Sequence, residues 1–448
     1  MEGSGVASAG FKGGVHPPEN KHRTKDKPIR KASEPAKVIL LLSQHTGAVC
    51  EPLVKAGDHV KVGQKVGDSK AFVSASVHSP VSGKVASIET WIHPALGRKV
   101  PAVVIESDGQ GTLHESVTPK GSVDELSQEE LRTIIRDAGI VGLGGACFPT
   151  AVKLSPPKDK PIDTLLLNGC ECEPYLTADH RIMVERPDLV VEGARALMKT
   201  AGVTRGIICV EDNKPDAIHA LERATKAVQE LKVVSLPTRY PQGSEKQLIK
   251  AVLGREVPPP PGLPLDVGVI VSNVGTAAAV ANTLRTGLPL VSRVVTVTGG
   301  AVAEPDNLEV KIGTPFSEVI KECGGLKAEI AKLIMGGPMM GVAQYTLDAP
   351  VVKGTTGLIA MTAEEAELKE GTNCIRCGRC VEACPINLMP LFIRTYTEAE
   401  KWDYVERYNA VDCIECGSCA YVCPAKIPLV QWIRIGKNEL LARRRGAK

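Results

Sequence analysis

Residues 374–385 read CIRCGRCVEACP, and residues 413–424 read CIECGSCAYVCP. In each stretch two residues separate the first three cysteines, and a fourth cysteine follows after three more residues, directly before proline. This spacing is typical of [4Fe–4S] ligation, because three thiolates on one tight loop can occupy three corners of a cubane. The repeat therefore predicts two clusters in one small C-terminal domain.

The fourth cysteine of each motif points away from its own loop and ligates the other cluster. We therefore expect one cluster on Cys374, Cys377, Cys380 and Cys423. We expect the other on Cys413, Cys416, Cys419 and Cys384. Two structural zinc ions are the alternative, but zinc sites rarely combine this third cysteine with a Cys-Pro pair. Residues 386–412 are long enough for two helices, which predicts an all-helical domain.

The composition is that of a soluble, multidomain α/β protein. Of 448 residues, 43% are hydrophobic, 23% charged and 3% aromatic, and the net charge of +3 is too small to indicate nucleic-acid binding. The most apolar region, residues 268–303, is interrupted by Asn273, Arg285 and Arg293, so no membrane span is expected. Without an apolar signal-peptide core the chain is expected in the cytoplasm, where its 14 cysteines favour metal ligation over disulfides.

The N-terminal third divides into a basic arm and a β module. Residues 1–37 form the arm, interpreted either as a solvated tail or as a segment that docks on a partner or an anionic membrane surface. Residues 38–121 form short glycine-punctuated β runs that resemble the barrel-sandwich fold of lipoyl and biotinyl carriers. Phe72 occupies the position of the modified lysine, and Lys70 lies two residues away, so we expect an unmodified structural module.

The rest of the chain alternates helical and strand patterns before it reaches the cysteine motifs. Residues 122–290 predict an α/β domain, and residues 291–365 a small β-grasp domain with a connector. Residues 366–435 hold the two-cluster domain, and residues 436–448 form a basic tail. The tail, with residues 443–445 and Lys448, is interpreted as a solvated helix end or as a contact to an anionic membrane.

Four polar loops in the α/β domain predict a ligand site. They are GLGGACFPT (142–150, with Lys153 following), NGCECEP (168–174), YPQGSEK (240–246) and SNVGT (272–276). Glycine-rich backbone can approach an anionic phosphate closely, and a lysine adds positive charge. Loops at the ends of parallel strands meet at one edge of an open α/β sheet, where ligands bind.

These four segments resemble, in the same order, the NADH- and flavin-binding subunit of respiratory complex I and related diaphorase subunits. The segment GREVPPPPG (254–262) and the β-grasp unit continue that resemblance. With FKGGVHPP (11–18), the carrier-like module and the paired cysteine motifs, residues 10–435 resemble the C subunit of the Rnf/Rsx ion-translocating electron-transport complex.

The resemblance implies a noncovalent FMN and NAD(H) as substrate. The implied FMN residues are Gly142, Gly144, Lys153, Asn168, Glu171, Tyr240, Gly243, Asn273 and Thr276. The implied NAD(H) residues are Gly145, Phe148, Glu173 and Glu245, of which Glu173 and Glu245 would shape and orient the catalytic site. Cys170 and Ser244 replace acidic residues of the complex I family. We expect Cys170 and Cys172 to be buried, inert thiols rather than redox groups.

Together these implications predict a peripheral subunit on the cytoplasmic side of the inner membrane. Hydride exchange between NAD(H) and FMN would be followed by single-electron transfer through two [4Fe–4S] clusters. The expected partners are the other subunits of a membrane complex and a ferredoxin-like electron partner. A non-catalytic iron–sulfur wire with a degenerate flavin site, and a soluble diaphorase subunit, are the alternatives.

Overall fold

The computed structural model of the chain describes residues 10–157, 159–366 and 370–446. The first nine residues of the predicted arm and the last two of the predicted tail, Lys448 among them, lie outside this part. Among the described residues no helix is both long and apolar enough to cross a membrane.

The β module follows a short strand of the arm, β1 (Ile29–Lys31), and consists of two small sheets. Its strands are β2 (Lys37–Leu41), β3 (Glu51–Pro52), β4 (His59–Val60), β5 (Lys65–Asp68), β6 (Val77–His78), β7 (Gly83–Ile92) and β8 (Lys99–Ser107). The sheet orders are β2-β8-β7-β4 and β3-β5-β6. Strand β2 is a continuous apolar run because both of its faces are buried: Val38 and Leu40 pack on one side, Ile39 and Leu41 on the other. Phe72 lies in the β5–β6 loop and is 63% exposed.

The α/β domain contains a four-stranded parallel sheet. Its strands are β9 (Thr164–Gly169), β10 (Gly206–Glu211), β11 (Leu231–Leu236) and β12 (Val269–Asn273), in the order β11-β10-β9-β12. Its helices are α1 (Gln128–Asp137), α2 (Thr150–Lys153), α3 (Ala178–Glu185), α4 (Pro187–Ala201), α5 (Pro215–Thr225), α6 (Glu245–Leu253) and α7 (Val274–Thr286). Because all four strands are parallel, their carboxyl ends lie at one edge of the sheet.

Local sequence signals account for several of these helices. Ser127 and Glu130 form a capping box at the start of α1, with both reciprocal hydrogen bonds present. Helix α4 begins with Pro187 and ends at Gly202, whose φ of 72° is left-handed. Helix α5 begins with Pro215 and ends at Thr225, and the chain turns before β11 begins at Leu231.

A six-stranded sheet follows, and the arm contributes its first strand. The strands β13 (Ser292–Thr298), β14 (Asp306–Lys311), β15 (Lys332–Met335), β16 (Val342–Gln344) and β17 (Gly357–Met361) join β1 in the order β1-β14-β13-β17-β15-β16. Helix α8 (Phe316–Glu322) follows β14 and buries Phe316, Val319 and Ile320 against this sheet, and α9 (Ala363–Ala366) follows β17. The chain of this domain therefore runs strand, turn, strand and helix in the order β13, β14, α8.

The C-terminal residues fold as short helices around the two cysteine motifs. The helices are α10 (Arg379–Glu382), α11 (Pro390–Glu398), α12 (Trp402–Arg407), α13 (Ser418–Tyr421) and α14 (Leu429–Gly446). Each motif loop leads into one short helix, α10 or α13. In the predicted basic tail, Arg443 pairs with Glu439 at 2.9 Å and Arg444 with Glu406 at 2.8 Å, so part of its charge is neutralised within the chain.

The interpretation of the arm as a solvated tail is wrong for the residues that the structure describes. The Nζ of Lys21 is buried and donates hydrogen bonds to the carbonyls of Glu171 (2.7 Å) and Leu176 (2.6 Å). Val15 pairs with the backbone of Tyr240, and β1 pairs with β14. The arm therefore links the α/β domain to the six-stranded sheet. No local pattern distinguishes such a lysine from a solvated one.

We expect Lys21→Met to loosen the arm, because it leaves two buried carbonyls without a donor, at a cost of about 1–3 kcal/mol. Lys25→Met, four residues on in the same arm, changes an exposed side chain and should stay within about 0.5 kcal/mol of the parent. Thermal unfolding and the rate of tryptic cleavage within residues 10–37 measure the difference. Equal behaviour of the two variants would contradict the docked arm.

Candidate functional site

The four predicted loops meet at the carboxyl edge of the parallel sheet. Asn168, at the end of β9, donates from Nδ2 to the carbonyl of Gly243 at 2.7 Å, and its Oδ1 accepts from the backbone N–H of Cys170 at 3.1 Å. The N–H of Gly243 in turn points at the sulfur of Cys172 at 3.4 Å. Asn168 therefore ties the loop after β9 to the loop that precedes α6.

The glycine-rich loop forms a cradle over the start of α7. The N–H of Leu143 donates to the hydroxyl of Thr276 at 2.9 Å, and a Cβ on Gly144 would lie 2.7 Å from Nδ2 of Asn273. Gly145 is exposed, and a Cβ added there would meet no atom within 4 Å. The loop thus packs tightly against Asn273 and Thr276 and leaves the backbone at Gly145 open. Binding of an anionic phosphate requires such accessible backbone N–H groups.

Lys153 and Glu245 complete one side of this cradle. The Nζ of Lys153 donates to Oε1 of Glu245 at 2.7 Å, and the two side chains are 34% and 40% exposed. Phe148 is half-buried, and its carbonyl accepts from the N–H of Gly142 at 3.0 Å. These residues fit the FMN that the resemblance implies, because a lysine and free backbone N–H groups face open space together.

A half-buried acid, Asp179, holds Asn273 in place. Oδ1 of Asn273 caps α7 by accepting from the N–H of Gly275 (2.8 Å) and of Thr276 (3.3 Å), and its Nδ2 donates to Asp179 at 2.6 Å. Burial, with the nearby carboxylate of Glu171, raises the pKa of Asp179 to about 7. In the sequence Asp179 simply follows Tyr175 and Leu176 at the start of α3, and this pattern is not a recognisable signal of a site residue.

Glu171 acts on helix α3 through its backbone amides. Its carboxylate accepts hydrogen bonds from the N–H groups of Asp179 (2.7 Å) and His180 (3.1 Å), and so caps the start of α3. Lys21 of the arm lies 4.0 Å from this carboxylate. In this structure Glu171 thus stabilises the loop architecture, and its predicted contact to FMN stays a prediction.

Glu173 and Tyr240 face the neighbouring domains. The Glu173 carboxylate accepts from the N–H groups of Met339 (3.0 Å) and Met340 (2.8 Å) in the β15–β16 turn, and burial raises its pKa to about 7. The Tyr240 hydroxyl is buried and donates to the carbonyl of Cys416 at 2.7 Å. Both residues therefore join the α/β domain to elements that carry or cover the second cysteine motif.

Cys170 lies where the thiolate form is disfavoured. It is fully buried, and burial raises its pKa well above the usual range. Burial also raises the pKa of the half-buried Cys172, whose sulfur accepts the hydrogen bond from Gly243. Cys170 is buried as expected, whereas Cys172 is only half-buried, and the lack of redox activity of the pair stays a prediction.

One concavity is lined by Cys374, Cys377, Cys380 and Cys423, the four cysteines that the spacing assigns to one cluster. The assignment of Cys413, Cys416, Cys419 and Cys384 to the other cluster stays a prediction. Within the described residues no three His, Cys, Asp or Glu side chains are placed to hold a single metal ion, whereas a cubane spreads its four ligands over four irons.

The two motif loops have opposite surroundings. The loop 413–419, which we name the covered loop, packs on the rest of the protein: a Cβ on Gly417 would lie 2.9 Å from the carbonyl of Met339. Residues flanking its fourth predicted ligand are covered too, since Gly14 donates to the Ala383 carbonyl at 2.9 Å. The loop 374–380, which we name the bare loop, lies in a stretch whose residues 371–377 are all exposed.

We expect Gly144→Ala to lower FMN affinity by about 10-fold or more, because the added methyl overlaps Asn273 and displaces the loop. Gly371→Ala, in the two-cluster domain and outside the cradle, is the control: its Cβ would lie 3.5 Å from the Lys426 carbonyl, an ordinary contact. Fluorescence titration with FMN measures both affinities. If the two variants bound FMN equally well, the cradle would be the wrong site.

Comparison with known proteins agrees with this organisation. Family models match as the RnfC barrel sandwich hybrid domain (residues 9–110), the Nuo51 FMN-binding domain (135–282), the SLBB domain (294–343) and the 4Fe-4S dicluster domain (373–427). The predicted FMN and [4Fe–4S] cofactors are thereby confirmed at the level of these domains.

Curated relatives align over nearly the whole chain. The C subunit of the Na(+)-translocating ferredoxin:NAD(+) oxidoreductase complex of Acetobacterium woodii is 52% identical, over 97% of this chain and 98% of that protein. The corresponding subunit of the proton-translocating complex of Clostridium ljungdahlii is 49% identical, over 96% and 93%. That of the ion-translocating oxidoreductase complex of Rhodobacter capsulatus is 42% identical, over 98% and 84%. The chain therefore belongs to the RnfC family of ion-translocating oxidoreductase complexes.

Proposed function

We propose that this chain is the peripheral NADH/FMN/iron–sulfur subunit of a membrane-bound, ion-translocating ferredoxin:NAD+ oxidoreductase complex. The observation that carries the proposal is the direct contact between the flavin-type α/β domain and one cluster motif, made by the Tyr240 hydroxyl and the Cys416 carbonyl. A nucleotide site alone or a cluster domain alone would not need this contact. The names of the relatives in Acetobacterium and Clostridium support the same reaction.

The cradle residues supply binding and orientation. A bound flavin supplies the chemistry, since it exchanges a hydride with NAD(H) and single electrons with iron–sulfur clusters. Backbone N–H groups of Gly144 and Gly145 and the Lys153 ammonium would hold its phosphate, while Asn273 and Thr276 fix the loop from below. No side chain of this chain needs to act as nucleophile or general acid for hydride transfer.

The nicotinamide nucleotide would lie on the open side of the cradle. Gly145 and Glu245 are partly or fully open to solvent there, and Phe148 offers a half-buried ring. Glu173 would contribute to nucleotide binding only indirectly, because its carboxylate accepts hydrogen bonds from the amides of Met339 and Met340. We assign it a positioning role between the flavin domain and the covered loop. NADH remains the expected nucleotide.

The arrangement of the loops gives the two clusters different roles in electron transfer. The covered loop meets Tyr240, Met339 and the arm, whereas the bare loop meets solvent. We assign the cysteines Cys413, Cys416, Cys419 and Cys384 to the cluster beside the flavin domain. The set Cys374, Cys377, Cys380 and Cys423 then faces the partner.

The departures from the complex I pattern leave the cradle intact, which weighs against a non-catalytic wire. The Ser244 hydroxyl donates to Oε1 of Gln247 at 2.8 Å, within the first turn of its own helix. The thiol of Cys170 is buried beneath the loops. Both side chains are thus accommodated within the loops that carry them, and neither disturbs the hydrogen bonds that hold the cradle.

Membership of the family supports attachment to a membrane complex. The relatives are named as parts of ion-translocating complexes. We infer that this chain attaches to the cytoplasmic side of the bacterial inner membrane through other subunits of such a complex. A ferredoxin-like protein would exchange electrons with the assembled complex.

An anaerobic NADH titration of the reconstituted full-length chain tests the proposed reaction. We expect NADH to bleach the flavin absorbance and to produce reduced-cubane signals in electron paramagnetic resonance. Clusters that dithionite reduces but NADH does not, in a protein that binds no flavin, would leave only the electron-wire alternative.

Two cysteine variants test the assigned order. Cys377→Ser should abolish the exposed cluster and still allow NADH to reduce the remaining one, because the covered set adjoins the flavin domain. Cys416→Ser should leave the exposed cluster unreduced by NADH on the timescale of the parent. Cys323→Ser, a buried cysteine outside both motifs, is the control. The opposite pattern would reverse the order of the two clusters.

A further inference from the structure

The two motif loops are identical at every position but two. The bare loop reads CIRCGRC and the covered loop CIECGSC, so Arg376 corresponds to Glu415 and Arg379 to Ser418. In the covered loop the charge is neutralised: Glu415 accepts from Arg434 at 2.7 Å and from Lys437 at 2.9 Å. Ser418 is fully buried.

The arginines of the bare loop have no such partners. Within the described residues neither Arg376 nor Arg379 makes a salt bridge or a side-chain hydrogen bond, and both are exposed. Ile375, directly before Arg376, is 69% exposed, while its counterpart Ile414 is half-buried. A Cβ on Gly378 would meet nothing within 4 Å, in contrast to Gly417.

The charged side chains within the bare loop, apart from its cysteines, are both arginines. Lys426 lies beside the loop, because the N–H of Thr372 donates to the Ala425 carbonyl at 2.9 Å. Glu370 and Glu382 flank the loop in sequence, and no acid lies within it. The same motif thus presents a paired carboxylate and a buried serine where it packs internally. Where it faces outward it presents two arginines, unpaired among the described residues, beside an exposed isoleucine.

We propose that the bare loop is the docking surface for an acidic electron-transfer protein, with Ile375 as the apolar contact and Arg376 and Arg379 as the charged ones. The inference rests on the proposed function, because it takes this loop as the outward end of the chain. Opposite charges speed the encounter and orient it. Interfaces of redox partners are small and transient, so a single loop with one apolar residue is of suitable size.

The test uses an acidic 2[4Fe–4S] ferredoxin and a basic cytochrome c as oxidised acceptors. The full-length chain is reconstituted, reduced with dithionite rather than NADH, freed of excess reductant and mixed with each acceptor in a stopped-flow instrument. In Arg376→Glu/Arg379→Glu we expect the second-order rate with ferredoxin to fall about 10-fold or more at low salt and its salt dependence to flatten. The rate with cytochrome c should rise.

A matched reversal at the end of α5, Arg223→Glu/Lys226→Glu, changes two exposed cations of the α/β domain, on a helix that packs on α3, α4 and β11. It should leave both rates near those of the parent. Equal effects of the two double variants would overturn the proposal. An unchanged rate with ferredoxin would also overturn it. The neutral variant Arg376→Gln/Arg379→Gln adds a further check: a shift in the midpoint potential of its cluster that fully accounts for its change in rate would overturn the proposal too. Unchanged ferredoxin rates with lost binding to phosphatidylglycerol vesicles would assign the loop to a lipid surface instead.

Chemical reduction keeps this test separate from the proposed reaction. If NADH fails to reduce the clusters while the arginine variants still slow transfer from dithionite-reduced protein, the docking surface stands and the NADH reaction does not. If NADH reduces the clusters and the arginine variants transfer electrons at the rate of the parent, the NADH reaction stands and the docking surface does not.

Discussion

The buried hydroxyl of Tyr240 donates its hydrogen bond to the carbonyl of Cys416, and the relative placement of the flavin-type domain and the clusters depends on this contact. The ring packs with Val15, Ala383 and Cys416 in one small apolar cluster. A phenylalanine in its place would leave a buried carbonyl unsatisfied, at a cost of about 1–3 kcal/mol. The contact also explains the docked arm, because Val15 pairs with the backbone of the same tyrosine.

Several side chains hold the loops around the cradle by bonding to backbone groups. Asn168, Glu171 and Glu173 bond to main-chain groups of another segment, and Asn273 caps its own helix while it donates to the side chain of Asp179. Such bonds fix the path of a loop before any ligand arrives, and a preorganised site loses less conformational entropy on binding. Several residues that the resemblance assigns to ligand contact therefore also have a structural role in this chain. The glycine backbone and the Lys153–Glu245 pair are the groups most free to meet a ligand.

What can be predicted from the sequence depends on how local each signal is. The cysteine spacing, the capping box of Ser127 and Glu130 and the polar ends of parallel strands are set within a few residues, and the structure contains them all. The environment of Lys21 depends on a contact to Glu171, 150 residues away, and that of Asp179 on a contact to Asn273 at the start of another helix. The residues next to either one in the sequence do not indicate these contacts. The solvated arm is therefore the wrong interpretation, and the acid behind Asn273 has no sequence signal that would reveal it.

The duplicated motif shows why equal spacing need not give equal roles. Ligation requires only the cysteines and the glycine, whose φ is 77° at Gly378 and 85° at Gly417. The two variable positions respond to what lies outside the loop. A buried arginine without a partner would be costly, so the covered loop has a fully buried serine and a glutamate with two cationic partners. In the bare loop solvent removes that constraint, and an arginine at either position costs nothing to folding. Charges that folding does not require can be selected for binding to another protein. Positive charges at such positions then indicate a partner with a negatively charged surface.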